Sequence, residues 1–532
     1  MFALPDETEL SLAEQIAQMI VVRASGYSFD HQIRFPQWEP SNQELEHWIR
    51  DLKVGGVILL GGSAIEIAQR THQLQTWSEI PLLMAADIEE GVGQRFSGAT
   101  WFPPPMALGE IAKTDLSLGK EYARKMGEVT AQEALALGLN WVLAPVVDVN
   151  NNPDNPVINV RSFGESPEMV QELTQGFIAG AQTYPVLTTA KHFPGHGDTA
   201  TDSHFKLPVI EVGTDRLEAI ELPPFISAIS QGVDAVMSAH LLVRCWDDTL
   251  PATLSSTILT QQLRLNLGFE GLIVTDALIM GALSEIASPE EIPILAIEAG
   301  ADIILMPENP DRAIAAILEA VNNGRLSPQR ISASVARIGK AKAKISHTER
   351  KDIRSELATP IALETTQNIL RASLRTRGDL PIALPQTPSQ NLVIVDDLLS
   401  CDFLDRTHRA IALPQQLGYE LQLLGQAQVF PEPPKNAPQT LIQLFTRGNP
   451  FRGESGLNEE TKAFLQALIN QGGVQGVIVY GSPYVLTWLE VTLPETIPYV
   501  FSYGQMSDSS AIALQKLLGD LAFSKTQDQS FL

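Results

Sequence analysis

Val186-Leu187-Thr188-Thr189-Ala190-Lys191-His192 is a short β-rich run that closes on two ionisable side chains. Its length and its β-branched content read as a buried strand, Val186 to Ala190, ending in a polar loop. Seven other runs have the same form: Ile20 to Val22, Val54 to Leu60, Leu82 to Ala86, Trp141 to Val147, Ala235 to Ala239, Leu272 to Thr275 and Ile303 to Met306. Most are separated by stretches of helical period, such as Leu116 to Leu137, Glu168 to Ala181, Arg216 to Ser230, Ser255 to Leu265 and Asp311 to Val321. Ahead of them Leu12, Ile16, Met19 and Ile20 share one helical face. Eight repeated strand–helix units predict a (β/α)8 TIM-type barrel, whose usual size of roughly 200 to 400 residues matches this segment.

The whole chain has 532 residues, room for more than the barrel at roughly 100 to 200 residues per domain. Composition shifts between residues 346 and 390, where a Pro-rich segment, Leu380 to Pro388, marks a linker. Beyond it strand-like runs recur at Leu392 to Val395, Leu441 to Phe445, Val477 to Tyr480 and Tyr499 to Ser502, with helical stretches at Glu459 to Asn470 and Ser510 to Phe523. The expected organisation is a barrel over 1–345, a linker over 346–390 and a smaller αβα sandwich over 391–532. No G-x-G-x-x-G follows these strands, so nothing supports a dinucleotide site there.

Hydrophobic residues make up 44% and charged residues 19% of the chain, the balance of a packed protein and not of a disordered one. With 37 basic and 62 acidic residues the formal charge is −25, which repels phosphate backbones and anionic headgroups. Nucleic acid and membrane are therefore not expected partners. Two cysteines, Cys245 and Cys401, are too few for a disulfide framework or a Cys-based zinc site. The first apolar run, Ile16 to Val22, is interrupted by Gln18 and too short for a signal core, so a cytoplasmic location is expected. Oligomeric state is not legible.

Catalytic groups of such barrels sit where strands end. Asp87, Asp148, Lys191-His192, His240 and Asp276 close or follow strands three to seven, so one face collects five ionisable strand ends. Lys191 to His204 is the densest stretch, with three histidines and two aspartates. It contains neither His-Glu-x-x-His nor His-x-His, and Lys191 would set a cation beside a metal, so the spacing argues against a metal site. Acid–base chemistry fits better. Gly195 and Gly197 predict a flexible loop over Pro194 to Thr201 that carries Asp202 and His204 over the barrel mouth. Asp202, two residues from His204, can orient that imidazole for proton transfer near neutral pH, while His196 reads as a loop-packing histidine. Asp276, delivered by the apolar strand Leu272 to Thr275, suits attack on an anomeric carbon, and Asp87, Arg161, Lys191 and His192 suit sugar hydroxyls.

These residues resemble a known family. The run Lys191 to His204, K-H-F-P-G-H-G-x4-D-S-H followed by Leu207-Pro208-Val209, is similar to the signature of the β-N-acetylglucosaminidases (β-N-acetylhexosaminidases) of glycoside hydrolase family 3. Asn159-Val160-Arg161-Ser162-Phe163-Gly164, the segment Asp87 to Arg95, and Val274-Thr275-Asp276 follow the same family order across residues 10 to 345. The resemblance implies Asp276 as nucleophile, His204 as general acid/base and Asp202 as its dyad partner. It assigns Asp87, Arg95, Arg161, Lys191 and His192 to a terminal N-acetylglucosamine, and it implies no metal and no organic cofactor. The chain departs from the family after Asp87, where Ile88-Glu89-Glu90-Gly91-Val92-Gly93 replaces the common Q-E-G-G-R-V. The expected activity is release of terminal N-acetylglucosamine from muropeptides or chitin-type oligosaccharides, with small-molecule carbohydrate as the substrate class. A β-glucosidase, an N-acetylglucosaminide phosphorylase and a non-catalytic sugar-binding protein are the alternatives.

Overall fold

The computed structural model describes residues 10–199, 207–345, 352–385, 387, 389–399, 401–430, 438–448 and 456–520. They form two compact units. The first comprises residues 1–102, 115–152 and 162–363, and the second residues 103–114, 153–161 and 364–532.

The first unit is a barrel of eight parallel strands: β1 (Ile20–Ser25), β2 (Gly56–Leu60), β3 (Leu83–Ala86), β4 (Trp141–Val142), β5 (Leu187–Phe193), β6 (Ala235–Ser238), β7 (Leu272–Thr275) and β8 (Ile304–Leu305). Each strand pairs with the next in sequence from β1 to β7. Ile20 then pairs with Ile304, and a bridge from Val274 to Ile303 joins β7 to β8, so the ring closes. All eight expected strands are present. The fourth is shorter than the expected Trp141 to Val147, because Pro145 has no N–H for the ladder and regular pairing stops at Val142. A single bridge from Val146 to Lys191 resumes contact beyond it.

Helices return the chain between strands and are started by local chemistry. Ser11, Ser41 and Ser63 each accept a hydrogen bond from the backbone N–H three residues on, while Glu14, Glu44 and Glu66 reach back to the cap, three complete capping boxes. At the strand-start end of the barrel the fully buried Asp302 gathers Arg264 at 2.6 Å, Arg337 at 3.0 Å and the Ile273 amide at 3.1 Å, which closes that end with paired charge.

The second unit is built on a six-stranded sheet: β9 (Arg375–Arg377), β10 (Ser389–Val395), β11 (Tyr419–Gly425), β12 (Thr440–Thr446), β13 (Val474–Gly481) and β14 (Tyr499–Ser502), in the spatial order β9-β14-β13-β12-β10-β11. All pairs are parallel except β9 with β14. Helices Arg409–Gln416 and Ser507–Leu518 pack together over Val393, Phe445, Tyr480 and Val500. Glu459–Gln471 and Val485–Thr492 are the connections between the parallel strands β12, β13 and β14, and the unit is the expected αβα sandwich. The helix Ser507–Leu518 ends where Gly519 turns the chain at φ +84°, and the rest of the expected stretch to Phe523 lies largely outside the described residues. Strands β9 and β11 were not expected. Among the described residues no helix is long and apolar enough to cross a membrane.

Candidate active site

The site is built where β3, β5, β6 and β7 end. Asp87 follows β3, Lys191 and His192 lie near the C-terminal end of strand β5, His240 follows β6 and Asp276 follows β7. Parallel pairing in one barrel carries all these termini to one face.

Lys191 is buried, and its ammonium donates to Asp87 Oδ1 at 2.7 Å and to Glu89 Oε1 at 2.6 Å. Glu89 is buried as well, whereas a third of the Asp87 side chain is exposed. One cation thus joins an inner carboxylate to one that faces outward, and the charge-assisted bonds fix all three groups. Arg95 is exposed and braces the same strand end by donating from Nε to the Asp87 carbonyl at 3.0 Å.

The loop after Asp87, where the sequence departs from the family, folds back on residues 99–102. Gly93 N donates to the Thr100 carbonyl, Phe102 N donates to the Glu90 carbonyl, and Trp101 Nε1 donates to Glu90 Oε2 at 3.0 Å. Gly91 sits at φ +85°, and a Cβ there would approach the Thr100 oxygen to 2.7 Å. The glycine is therefore required by both its torsion and its neighbour.

His192 is held by Asp148, which follows the irregular end of β4 and is completely buried. The Nδ1 of His192 lies 2.7 Å from Asp148 Oδ2, and its amide reaches both carboxylate oxygens at 3.1 and 3.2 Å. The amide of His196 donates to Asp148 Oδ1 at 2.7 Å. Burial pushes the Asp148 carboxyl up, but electrostatic attraction and hydrogen bonds from His192, then His196, outweigh it and hold the group below the usual carboxylate range.

The segment Pro194–Thr199, the described part of the expected loop, is packed against the barrel. All of it but Asp198 is buried. A Cβ on Gly197 would lie 1.7 Å from the Val149 oxygen, so this glycine permits close packing and does not serve as a hinge. His196 is a packing histidine, as read from the sequence, with Nδ1 2.7 Å from Thr199 Oγ1. Beneath the segment Glu221 packs on Gly195 and pairs with Arg216 at 3.3 Å. Asp202 and His204 lie outside the described residues.

Asp276 is half-buried. Its Oδ1 accepts from the Ala277 amide at 2.7 Å, and its own amide donates to the Ser238 carbonyl of β6. His240 braces this turn: Nδ1 is 2.8 Å from Thr253 Oγ1, and Nε2 donates to the Ala277 carbonyl at 3.1 Å. His240 is thus a supporting residue at the Asp276 turn. Arg161 belongs to the second unit and donates to the Val157 carbonyl at 3.0 Å. Around it Asn155 Oδ1 accepts the amides of Val157 and Ile158, each at 2.8 Å. The first unit therefore brings together Asp87, Lys191, His192 and Asp276. Asp148, read only as one of five ionisable strand ends, and Glu89, read only as part of the loop after Asp87, are the residues whose partners sequence reasoning missed. Among the described residues no group of three or more His, Cys, Asp or Glu side chains is arranged to hold a metal ion.

Residues 11–341 match the Glycosyl hydrolase family 3 N terminal domain, and residues 384–519 match the Bacterial Glycosyl hydrolase family 3 C-terminal domain, which the sequence reading had not identified. Beta-hexosaminidase A of Pseudoalteromonas piscicida is 35% identical over 333 residues, 57% of this chain and 55% of that protein. Beta-N-acetylglucosaminidase/beta-glucosidase of Cellulomonas fimi is 29% identical over 358 residues, 64% of this chain and 62% of that protein. The matched part thus spans less than two thirds of either curated relative. The solved structure of a glycoside hydrolase family 3 beta-N-acetylglucosaminidase from Paenibacillus sp. str. FPU-7 superposes with a TM-score of 0.79 at 30% identity, covering 96% of this chain and 98% of that one.

Proposed function

The chain belongs to glycoside hydrolase family 3, and on that premise we propose that it is a retaining exo-β-N-acetylglucosaminidase that removes terminal non-reducing N-acetylglucosamine from muropeptides or chitin-type oligosaccharides. The observation that carries this reading is the gathering of Asp87, Lys191, His192 and Asp276 at the ends of β3, β5 and β7. The K-H-F-P-G-H-G-x4-D-S-H run and the names of the relatives support an N-acetylated sugar.

Asp276 attacks the anomeric carbon while protonated His204 gives its proton to the departing oxygen, forming a glycosyl-enzyme. Neutral His204 then takes a proton from water, whose oxygen displaces Asp276 and restores the β configuration. Asp202 orients the imidazole. Asp87, Arg95, Arg161, Lys191 and His192 hold the sugar hydroxyls, and no step of the scheme uses a metal or organic cofactor. The catalytic domain spans 1–345, the sandwich domain spans 391–532 together with strand β9 and the start of β10 from the linker, and the enzyme works in the cytoplasm.

A second reading is favoured by the imidazole itself. An uncharged base accepts an incoming phosphate anion better than a carboxylate does, so an N-acetylglucosaminide phosphorylase uses the same residues. The name of the Cellulomonas fimi relative also keeps β-glucosidase activity in view. Proton NMR of the first-formed products from an N-acetylglucosaminide and from the matching β-glucoside, with and without phosphate, separates these readings. β-N-acetylglucosamine in both conditions supports the proposal, a sugar phosphate replaces it with phosphorolysis, and binding without turnover leaves a sugar-binding protein.

A further inference from the structure

We propose that Asp148 is a positioning residue that fixes the tautomer of His192. The inference rests on the reading above only in taking His192 as a sugar-binding group. A carboxylate accepts hydrogen bonds and donates none, so the 2.7 Å contact from Asp148 Oδ2 requires the proton on His192 Nδ1. Nε2 is thereby directed away from Asp148, and in the neutral ring it is the acceptor nitrogen. The pair is not an incidental contact. The His192 amide is bonded to the same carboxylate, the ring meets His196 edge-on at 6.1 Å, and Asp148 is fully buried, which leaves the imidazole little rotational freedom. Lys191, the adjacent residue, is fixed independently by Asp87 and Glu89. Two consecutive side chains at the end of β5 are therefore each set by a carboxylate from a different strand end, and a sugar meets groups already oriented.

Asp148→Asn tests this role, losing the 3.1 Å bond from the His192 amide to Oδ2 but keeping the one to Oδ1 at 3.2 Å. The variant has the same shape, and its oxygen can still receive the His196 amide, now 2.7 Å from Oδ1. Its NH2 then faces His192 Nδ1 and drives the proton to Nε2, turning an acceptor into a donor.

The experiment has two arms, each run on the full chain. In the first, kcat and KM for p-nitrophenyl β-N-acetylglucosaminide are measured for the wild type, Asp148→Asn, His192→Ala and the double variant. Asp148→Asn is expected to lose at least tenfold in kcat/KM, chiefly through KM, and the double variant to stay within about twofold of His192→Ala, as residues acting as a unit do. Independent losses that multiply would overturn the proposal. In the second arm, nitrogen-15 NMR of histidine-labelled protein reads the tautomer directly, whatever the substrate proves to be. Wild-type His192 is expected to carry its proton on Nδ1 and the Asn variant on Nε2. A wild-type Nε2–H tautomer overturns the inference even if Asp148→Asn fails to fold. An Nδ1–H tautomer in a protein inactive on this substrate supports the inference and defeats the functional reading alone.

Discussion

Lys191 Nζ lies 2.6 Å from Glu89 Oε1, and both side chains are buried at the end of the barrel strands. Breaking such a pair leaves an uncompensated charge in a poorly solvated place, a loss of about 3–5 kcal/mol. Lys191→Ala is therefore expected to lower stability by that amount in urea unfolding and to abolish useful turnover. Asp87→Ala, at the partly exposed partner, is expected to cost little stability while still raising KM. Equal destabilisation by the two variants would contradict the division into an inner and an outer carboxylate.

Gly197 leaves no room for a side chain, since its Cβ position lies 1.7 Å from the Val149 oxygen. Gly197→Ala must displace one backbone segment from the other, and overpacking of this kind costs about 1–3 kcal/mol. The segment continues towards Asp202 and His204, so kcat is expected to fall more steeply than Tm. Calorimetry paired with steady-state kinetics measures both, and an alanine variant of unchanged Tm and kcat would show that the close approach is dispensable.

Glu221 gives stability a pH dependence. Burial, opposed by Arg216, pushes its carboxyl up from 4.5 to about 7, and Oε2 is buried with no hydrogen-bond partner among the described residues. The folded state holds this proton more tightly than the unfolded state does, so its contribution is complete below about pH 4.5 and is lost as pH rises through about 7. Glu221→Gln resembles the protonated form. Its Tm should exceed that of the wild type at pH 8, and the two should converge near pH 5. A constant difference between the two pH values would contradict this.

The barrel was legible because its strands are apolar and β-rich and their ends are ionisable, a pattern set by burial on both faces. Where the reading fell short, the determinant was non-local or ambiguous. Pro145 cut β4 short inside an otherwise continuous apolar run. Strand β11 exposes Glu420 and half-buries Gln422 at the sheet edge, and β9 is a basic edge strand of three residues, so neither presents a hydrophobic pattern. Gly197 reads equally as freedom or as close approach, and only the position of Val149 decides between them. Asp148 meets His192 and His196 across 44 and 48 residues, a pairing that spacing alone does not reveal. Conversely, the dyad of Asp202 and His204 comes from the sequence alone.

The most direct test of the central claim is hydrolysis of p-nitrophenyl β-N-acetylglucosaminide by the wild type, Asp276→Ala and His204→Ala, with the β-glucoside as control. The account predicts release from the N-acetylglucosaminide in clear preference to the glucoside, no turnover by folded Asp276→Ala, and a turnover by His204→Ala that is slowed at least a hundredfold. A folded wild type that prefers the glucoside, or an Asp276→Ala variant that retains activity, would contradict it.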